Sequence, residues 1–299
     1  MTKELTGDVA IVTGAAAGMG REHALLLGRL GARVVVTDLS PDVEETAAAI
    51  RREGGESIAV QADISDPATG QLLVDTALAE FGELQIVVSN AGILTRYSFA
   101  ELTAEEFDRI MRINAYGAFS LLHAAWPVLV EQRYGRVVVV SSSSAFVSQP
   151  LIAHYAASKG ALLGLAKTLA AEGAEHGVTV NVLAPGAFTG LSGATANEEM
   201  RRVQEIMMPA SLVSPAVAWL VRRENELNGE IIEAAAGRVA LDFVGSTRGY
   251  WKKDLTVDDV VAHADQVLDR DGFAVIADTG TLAVWMTREN TGWAQELGH

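Results

Sequence analysis

The sequence predicts an α/β fold: a doubly wound, parallel, seven-stranded sheet with helices on both faces, followed by a C-terminal extension. Three observations predict it. Apolar runs of strand length recur along the chain with helical patterns between them, as βαβ units require. A glycine-rich turn joins the first run to the first helical pattern. The second run ends on an acid eighteen residues beyond the last glycine of that turn.

The first strand is expected at Val9–Thr13 and leads into Gly14-Ala-Ala-Ala-Gly18-Met19-Gly20, with a helical pattern from Arg21 to Leu30. Glycines at a strand-to-helix turn let the backbone approach a pyrophosphate, whose charge rests on the helix N-terminus. The second strand, Arg33–Thr37, ends at Asp38, where a carboxylate accepts hydrogen bonds from an adenosine ribose. Further strands are expected at Ser57–Gln61, Leu84–Ser89, Arg136–Ser141, Thr179–Leu183 and Glu230–Ala234. Ligands of such sheets sit beyond the carboxyl ends of the strands. Gly14, Asp38, Asp63, Asn90, Ser142 and Pro185 all fall just past those ends, so topology directs them to one crevice.

A helix is expected from about Ala104 to Val130, opened by the capping box Thr103-Ala-Glu-Glu106. Phe107, Ile110, Met111, Asn114, Ala118 and Leu121 share one face. Asn114 is therefore an amide on an apolar stripe and needs a buried partner. Its plain role is to satisfy a local backbone group. Farther on, Tyr155 and Lys159 lie one helical turn apart, with the serine run Ser141–Ser144 ahead of them. A phenol has a reference pKa of about 10. An ammonium at i+4 favours the phenolate and brings it toward working pH. A hydroxyl from a nearby strand end can hold the oxygen that the tyrosine protonates or deprotonates. Taken alone, the pair also reads as an ordinary amphipathic helix contact.

With Thr13-Gly14-x-x-x-Gly18-x-Gly20, Asp63 in Ala-Asp-Ile, Asn90-Ala91-Gly92, Asn114, Ser141–Ser144, Tyr155-x-x-x-Lys159 and Pro185-Gly186 in this order, the chain resembles the short-chain dehydrogenase/reductase family over residues 7 to 240 or so. The resemblance implies a Rossmann-type NAD-binding domain over 1–240. Its catalytic set would be Asn114, Ser142, Tyr155 and Lys159. The cofactor would be held by Gly14, Gly18, Met19, Gly20, Asp38, Asp63, Ile64, Asn90, Ala91, Gly92, Tyr155, Lys159, Pro185, Gly186 and Thr189. Family spacing puts the serine thirteen residues before the tyrosine, which selects Ser142 and leaves Ser141 and Ser143 open. It further implies that Asn114 sits in a kinked helix turn and holds a water bonded to Lys159. The segment after Pro185, with the helix Glu198 to Met208, would close over substrate.

The resemblance also implies pairing of the Tyr155 helix across a subunit interface. That helix carries a small-residue row, Ala156, Gly160 and Gly164. A homo-oligomer is expected, tetramer ahead of dimer. The extension, 241–299, is expected to pack on the same domain, with a helix capped by Thr256 and acidic Asp258 and Asp259 in its first turn. With Val217-Ala-Trp-Leu and Asn228-Gly-Glu-Ile-Ile-Glu, it resembles the (3R)-hydroxyacyl-CoA dehydrogenase part of D-bifunctional proteins, and their hydratase part is expected to be absent. Arg201, Arg202, Arg248, Lys252 and Lys253 could then meet the phosphates of coenzyme A.

Composition bounds the partners. The net charge is −15, from 23 basic and 38 acidic residues, which disfavours nucleic acid and anionic membranes. There is no cysteine, and the six histidines show no metal-ligand spacing, so no metal is expected. No apolar stretch is expected to span a bilayer and no leader is expected, which points to a cytoplasmic protein. The expected activity is NAD(H)-dependent interconversion of a secondary alcohol and a ketone. Candidate substrates are a 3-hydroxyacyl thioester, a hydroxysteroid or a bulky xenobiotic ketone. The rivals are a redox-inert nucleotide sensor and an NADPH-dependent ketoreductase, which Asp38 disfavours.

Overall fold

A computed structural model describes residues 4–147, 149–187, 198, 202, 206–276 and 279–285. The chain divides into two compact units, Met1–Leu241 and Asp242–His299.

The first unit is built on one sheet. Its parallel strands are β1 (Val9–Thr13), β2 (Arg33–Asp38), β3 (Glu56–Gln61), β4 (Ile86–Ser89), β5 (Gly135–Val140), β6 (Val178–Gly186) and β7 (Ile231–Ala235). They lie in the order β3-β2-β1-β4-β5-β6-β7, so the winding direction reverses between β1 and β4. The valine-rich central strands are buried on both faces, as a sheet covered by helices on each side requires.

An eighth strand corrects the expectation of seven. β8 (Arg238–Asp242) lies beside β7 and antiparallel to it. The connection is two residues long, Ala236 at φ +48° and Gly237 at φ +79°, and two successive left-handed residues reverse a chain in a hairpin.

Helices α1 (Gly18–Arg29), α2 (Val43–Arg52) and α7 (Ser214–Leu220) bury their apolar residues in one core with Val12, Val34 and Val36. Helices α3 (Thr69–Phe81), α5 (Gly117–Glu131) and α6 (Ala153–Gly173) share a second core with Ile11, Val87 and Val139. A buried His23–Ser214 contact of 2.8 Å pins α1 to α7. Its imidazole is held neutral by burial, with a pKa of about 3.

The long helix expected from Ala104 forms as α4 (Ala104–Met111), a π-helical turn (Arg112–Tyr116) and α5. Thr103 caps it by accepting from the Glu106 amide. By length and composition, 104–131 would suffice to cross a membrane, contrary to the expectation that no stretch does. The reason is that α5 is apolar on both sides. Leu121, Leu122 and Leu129 enter the core, while Tyr116 and Phe119 stand exposed.

In the second unit, β9 (Gly245–Ser246) pairs antiparallel with β10 (Ala274–Val275), and Phe243 stacks on Phe273. The helix Val257–Ala262 begins with a full capping box between Thr256 and Asp259.

Candidate active site

The glycine turn is shaped by contacts that only glycine permits. Gly14 and Gly18 adopt φ +67° and +56°, and a Cβ on Gly14 would meet Ala91 Cα at 2.8 Å. A Cβ on Gly20 would collide with the Gly14 carbonyl. Asn90 braces the turn, its Nδ2 donating to Thr13 O (2.9 Å) and Gly14 O (3.3 Å). Thr13 Oγ1 accepts from the amides of Asn90 and Ala91, both at 3.0 Å. Thr13 belongs to the glycine motif, but the motif's spacing does not disclose this role. Gly18, Met19 and Gly20 form the first turn of α1, whose N-terminus has no side-chain cap.

Asp38 ends β2. Its Oδ2 accepts from the Ala16 amide and its Oδ1 from the Ser40 amide, both at 3.0 Å. These bonds aim the carboxylate beside the turn. Asp63, past β3, folds back on the Ser65 amide at 2.8 Å. Ile64 lies so close to α5 that a Cβ on Gly117 would meet it at 2.9 Å. The buried Thr37 Oγ1 and Asn90 Oδ1 have no partner among the described residues. A close-approach glycine turn, free helix N–H groups and a fixed acid suit a dinucleotide's pyrophosphate and ribose.

Pro185 and Gly186 were expected just beyond the sixth strand and instead form its last two residues, in register with Ala234 and Ala235. β5 stops pairing at Leu183, so proline's missing N–H leaves no ladder bond unmade on that side. Thr189, Arg201 and most of the 198–208 helix lie outside the described residues.

The proton-transfer candidates meet at the end of β5. The Ser142 hydroxyl, which donates to Ser144 Oγ at 3.2 Å, stands near enough to the phenol of Tyr155 in the first turn of α6 to lower its pKa. Ser141 faces the other way, donating to Lys159 O at 2.8 Å, and Ser143 begins a 3-10 turn. Lys159 is buried, donates to Val140 O at 2.8 Å, and stands 5.7 Å from the Tyr155 ring centroid.

The electrostatics correct one expectation. Burial raises the Tyr155 pKa, and the nearby Ser142 hydroxyl lowers it less, so the phenol is protonated at neutral pH. Burial also brings Lys159 down to about 8. Desolvation of both groups outweighs their attraction in the chain by itself.

Asn114 lies in the π turn and is fully buried. Its Oδ1 accepts from Ile93 N at 2.8 Å, while Nδ2 donates to Ile93 O and Ser158 Oγ, both at 3.0 Å. This is the local backbone satisfaction that the apolar stripe called for. A Cβ on Gly92 would lie 3.2 Å from Asn114 Oδ1 and 3.5 Å from Lys159 Nζ, so these three residues adjoin. Ser158 went unremarked in the sequence. Its signal was a small polar residue set between two functional ones on a single helix. In the second unit Lys252 Nζ, one of the cations expected to meet coenzyme A, is tied to both Asp259 oxygens at 2.7 Å.

The chain as a whole is similar to known proteins. Residues 8–201 match the family model described as short chain dehydrogenase. Peroxisomal multifunctional enzyme type 2 of Mus musculus is 34% identical over 98% of this chain. The chain spans only 40% of that relative. A protein of Mycobacterium tuberculosis described as a short-chain type dehydrogenase/reductase is 36% identical, the match covering 88% of this chain and 95% of that one. Among solved structures, full-length peroxisomal multifunctional enzyme type 2 of Drosophila melanogaster superposes with a TM-score of 0.79 at 29% identity, covering 94% of this chain and 49% of that one. A short chain dehydrogenase of Mycobacterium paratuberculosis bound to NAD gives 0.71 at 28% identity, covering 78% and 98%.

Proposed function

We propose, from the premise that this chain belongs to the short-chain dehydrogenase family, that it is an NAD(H)-dependent enzyme interconverting a secondary alcohol and a ketone. The observation that carries this reading is the contact of Ser142 with Tyr155, with Lys159 buried one turn beyond. A sensor of nucleotide has no use for such a set. When bound, the nicotinamide supplies the hydride acceptor or donor.

The chain's own residues do the rest. Ser142 holds the substrate oxygen, and Tyr155, protonated at neutral pH, gives that oxygen its proton in the reducing direction. Lys159, beside the phenol, stabilises it once the proton has left. Asn114 and Gly92 flank Lys159 and line the route by which the proton is replaced. Asp38 selects the cofactor without a ribose phosphate.

A 3-hydroxyacyl or 3-ketoacyl thioester is the first substrate class, on the strength of the likeness to multifunctional enzyme type 2 over nearly the whole chain. A bulky ketone is the second. It is favoured by the exposed apolar residues Tyr97, Phe146, Val147 and Leu151 on the loops after β4 and β5, and by the engagement of Lys252 with Asp259. NADH oxidation should be followed with a 3-ketoacyl-CoA, its short neutral thioester analogue and a cyclic diketone. Turnover of the first well above the others supports the thioester class. Turnover of the diketone alone supports the second, and no turnover with any carbonyl compound contradicts the enzyme reading.

The subunits are proposed to associate through α5 and α6. Tyr116, just ahead of α5, and Phe119 on it stand exposed, and Gly160 and Gly164 face open space on α6.

A further inference from the structure

His154 precedes Tyr155 in the first turn of α6 and is fully buried, yet nothing in the reaction above uses it. The surrounding bonds form one directed chain. Arg109 holds Glu106 through Nε at 2.8 Å and Nη2 at 2.9 Å. That guanidinium, and then Thr95, keep the Glu106 carboxyl well below the ordinary range, at about 2, so it is an acceptor only. Thr95 Oγ1 therefore donates to Glu106 Oε1, at 2.6 Å. With its one proton spent, Thr95 oxygen can only accept from His154 Nε2, at 2.8 Å. The imidazole is thereby fixed as the Nε2–H tautomer. Its buried Nδ1 has no partner among the described residues. Burial, then Arg109, disfavour a second proton there, against Glu106. Tyr97 sets its ring edgewise at 6.1 Å, and its amide donates to Leu151 O at 2.9 Å, closing the same loop onto the approach to α6.

Three elements are joined by this chain. Thr95 lies two residues beyond Ile93, the partner of Asn114; Glu106 lies in α4; His154 lies beside Tyr155. We propose that His154 is a positioning residue, and that Arg109, Glu106, Thr95 and His154 form a one-way hydrogen-bonded brace that fixes the first turn of α6, and with it the phenol of Tyr155, against the β4–α4 loop. The proposal rests on the reading of Tyr155 as the acid and base.

Two measurements test it. With histidine labelled in its ring nitrogens, NMR of the wild type should show His154 as a single neutral Nε2–H tautomer through neutral pH. Thr95→Val, which keeps shape and removes the hydroxyl, should abolish that preference, and Thr95→Ser should restore it. In steady-state assays Thr95→Val and His154→Phe should lower kcat about ten- to a hundredfold, as misplacement of a reacting group does, with the KM for NADH little changed. Thr95→Ser should recover most of kcat. If Thr95→Val does not fold, Glu106→Gln serves instead, because an amide can donate as well as accept and so loses the one-way order. An Nδ1–H or doubly protonated imidazole in the wild type, or wild-type kcat in Thr95→Val, overturns the brace. Should Tyr155→Phe itself retain turnover, the reading of the acid fails instead, and the tautomer measurement still decides whether the brace exists.

Discussion

Ser142 and Tyr155 adjoin across the gap between the end of β5 and the first turn of α6, the serine hydroxyl lowering the phenol pKa that burial raises. Ser141 sends its hydroxyl the opposite way, onto the Lys159 carbonyl. Side chains alternate along an extended strand end, so neighbouring serines serve different purposes. One faces the Tyr155 phenol; the other clamps α6 to the sheet.

The two serines should therefore fail differently. Ser142→Ala is expected to lower kcat by about a hundredfold, the loss typical of one donor to a developing oxyanion, with little change in melting temperature. Ser141→Ala is expected to cost about 1 kcal/mol of stability by removing one buried hydrogen bond between the end of β5 and α6, and to act on turnover far less. Paired kinetic and thermal measurements check this, and an exchange of the two phenotypes would show the serines misassigned.

Lys159 should make the protein's stability depend on alkaline pH. Its folded pKa is lowered to about 8 against an ordinary 10.5, so the unfolded chain binds more protons between those values. Stability linked to this group is lowest below about pH 8 and rises as pH passes toward 10.5. At 1.36 kcal/mol per unit, the wild type should gain on the order of 3 kcal/mol relative to Lys159→Met over that interval. Denaturant unfolding at pH 7.5 and pH 10 gives the difference, and a constant gap would show that the ammonium is not buried as described.

Cofactor choice should follow Asp38. Its carboxylate, fixed by the Ala16 and Ser40 amides, would meet a ribose phosphate as a like charge. At 4 Å two unit charges repel by about 4 kcal/mol at an effective dielectric near 20. NAD(H) should be preferred over NADP(H) by at least about a hundredfold in kcat/KM, roughly 2.7 kcal/mol. Asp38→Ala should narrow that preference, and equal efficiency with both cofactors in the wild type would contradict it.

Association through α5 and α6 can be tested at Gly164, where a Cβ meets nothing within 4 Å of its own subunit. Gly164→Arg should reduce the mass found by light scattering toward that of a single subunit, and leave the circular dichroism spectrum intact. An unchanged mass would place any interface elsewhere.

The sheet was legible in the sequence because central parallel strands are continuous apolar runs, and Val9–Thr13 came out to the residue. β8 escaped notice because its hairpin turns on Ala236 in a left-handed conformation, where the familiar signal is Asn or Gly. Family spacing pointed to Ser142 beside Tyr155, but not to the sign of the phenol's shift, which depends on how deeply the phenol is buried. Thr95, Glu106 and His154 span sixty residues in three elements with no common spacing, and only the fold brings them together. Asn114 was legible as a polar residue on an apolar stripe, whereas its partner Ile93 acts through its backbone and leaves no mark on residue type.

The most direct test of the central claim is Tyr155→Phe, assayed for turnover and for NADH binding in the same preparation. Removal of one oxygen should abolish at least about nine-tenths of kcat, while the Kd for NADH, read by fluorescence titration, stays near that of the wild type. The phenol acts in the transition state, whereas the cofactor has its glycine turn and Asp38 besides. Turnover above a tenth of wild type, with the chemical step limiting, would contradict Tyr155 as the proton donor.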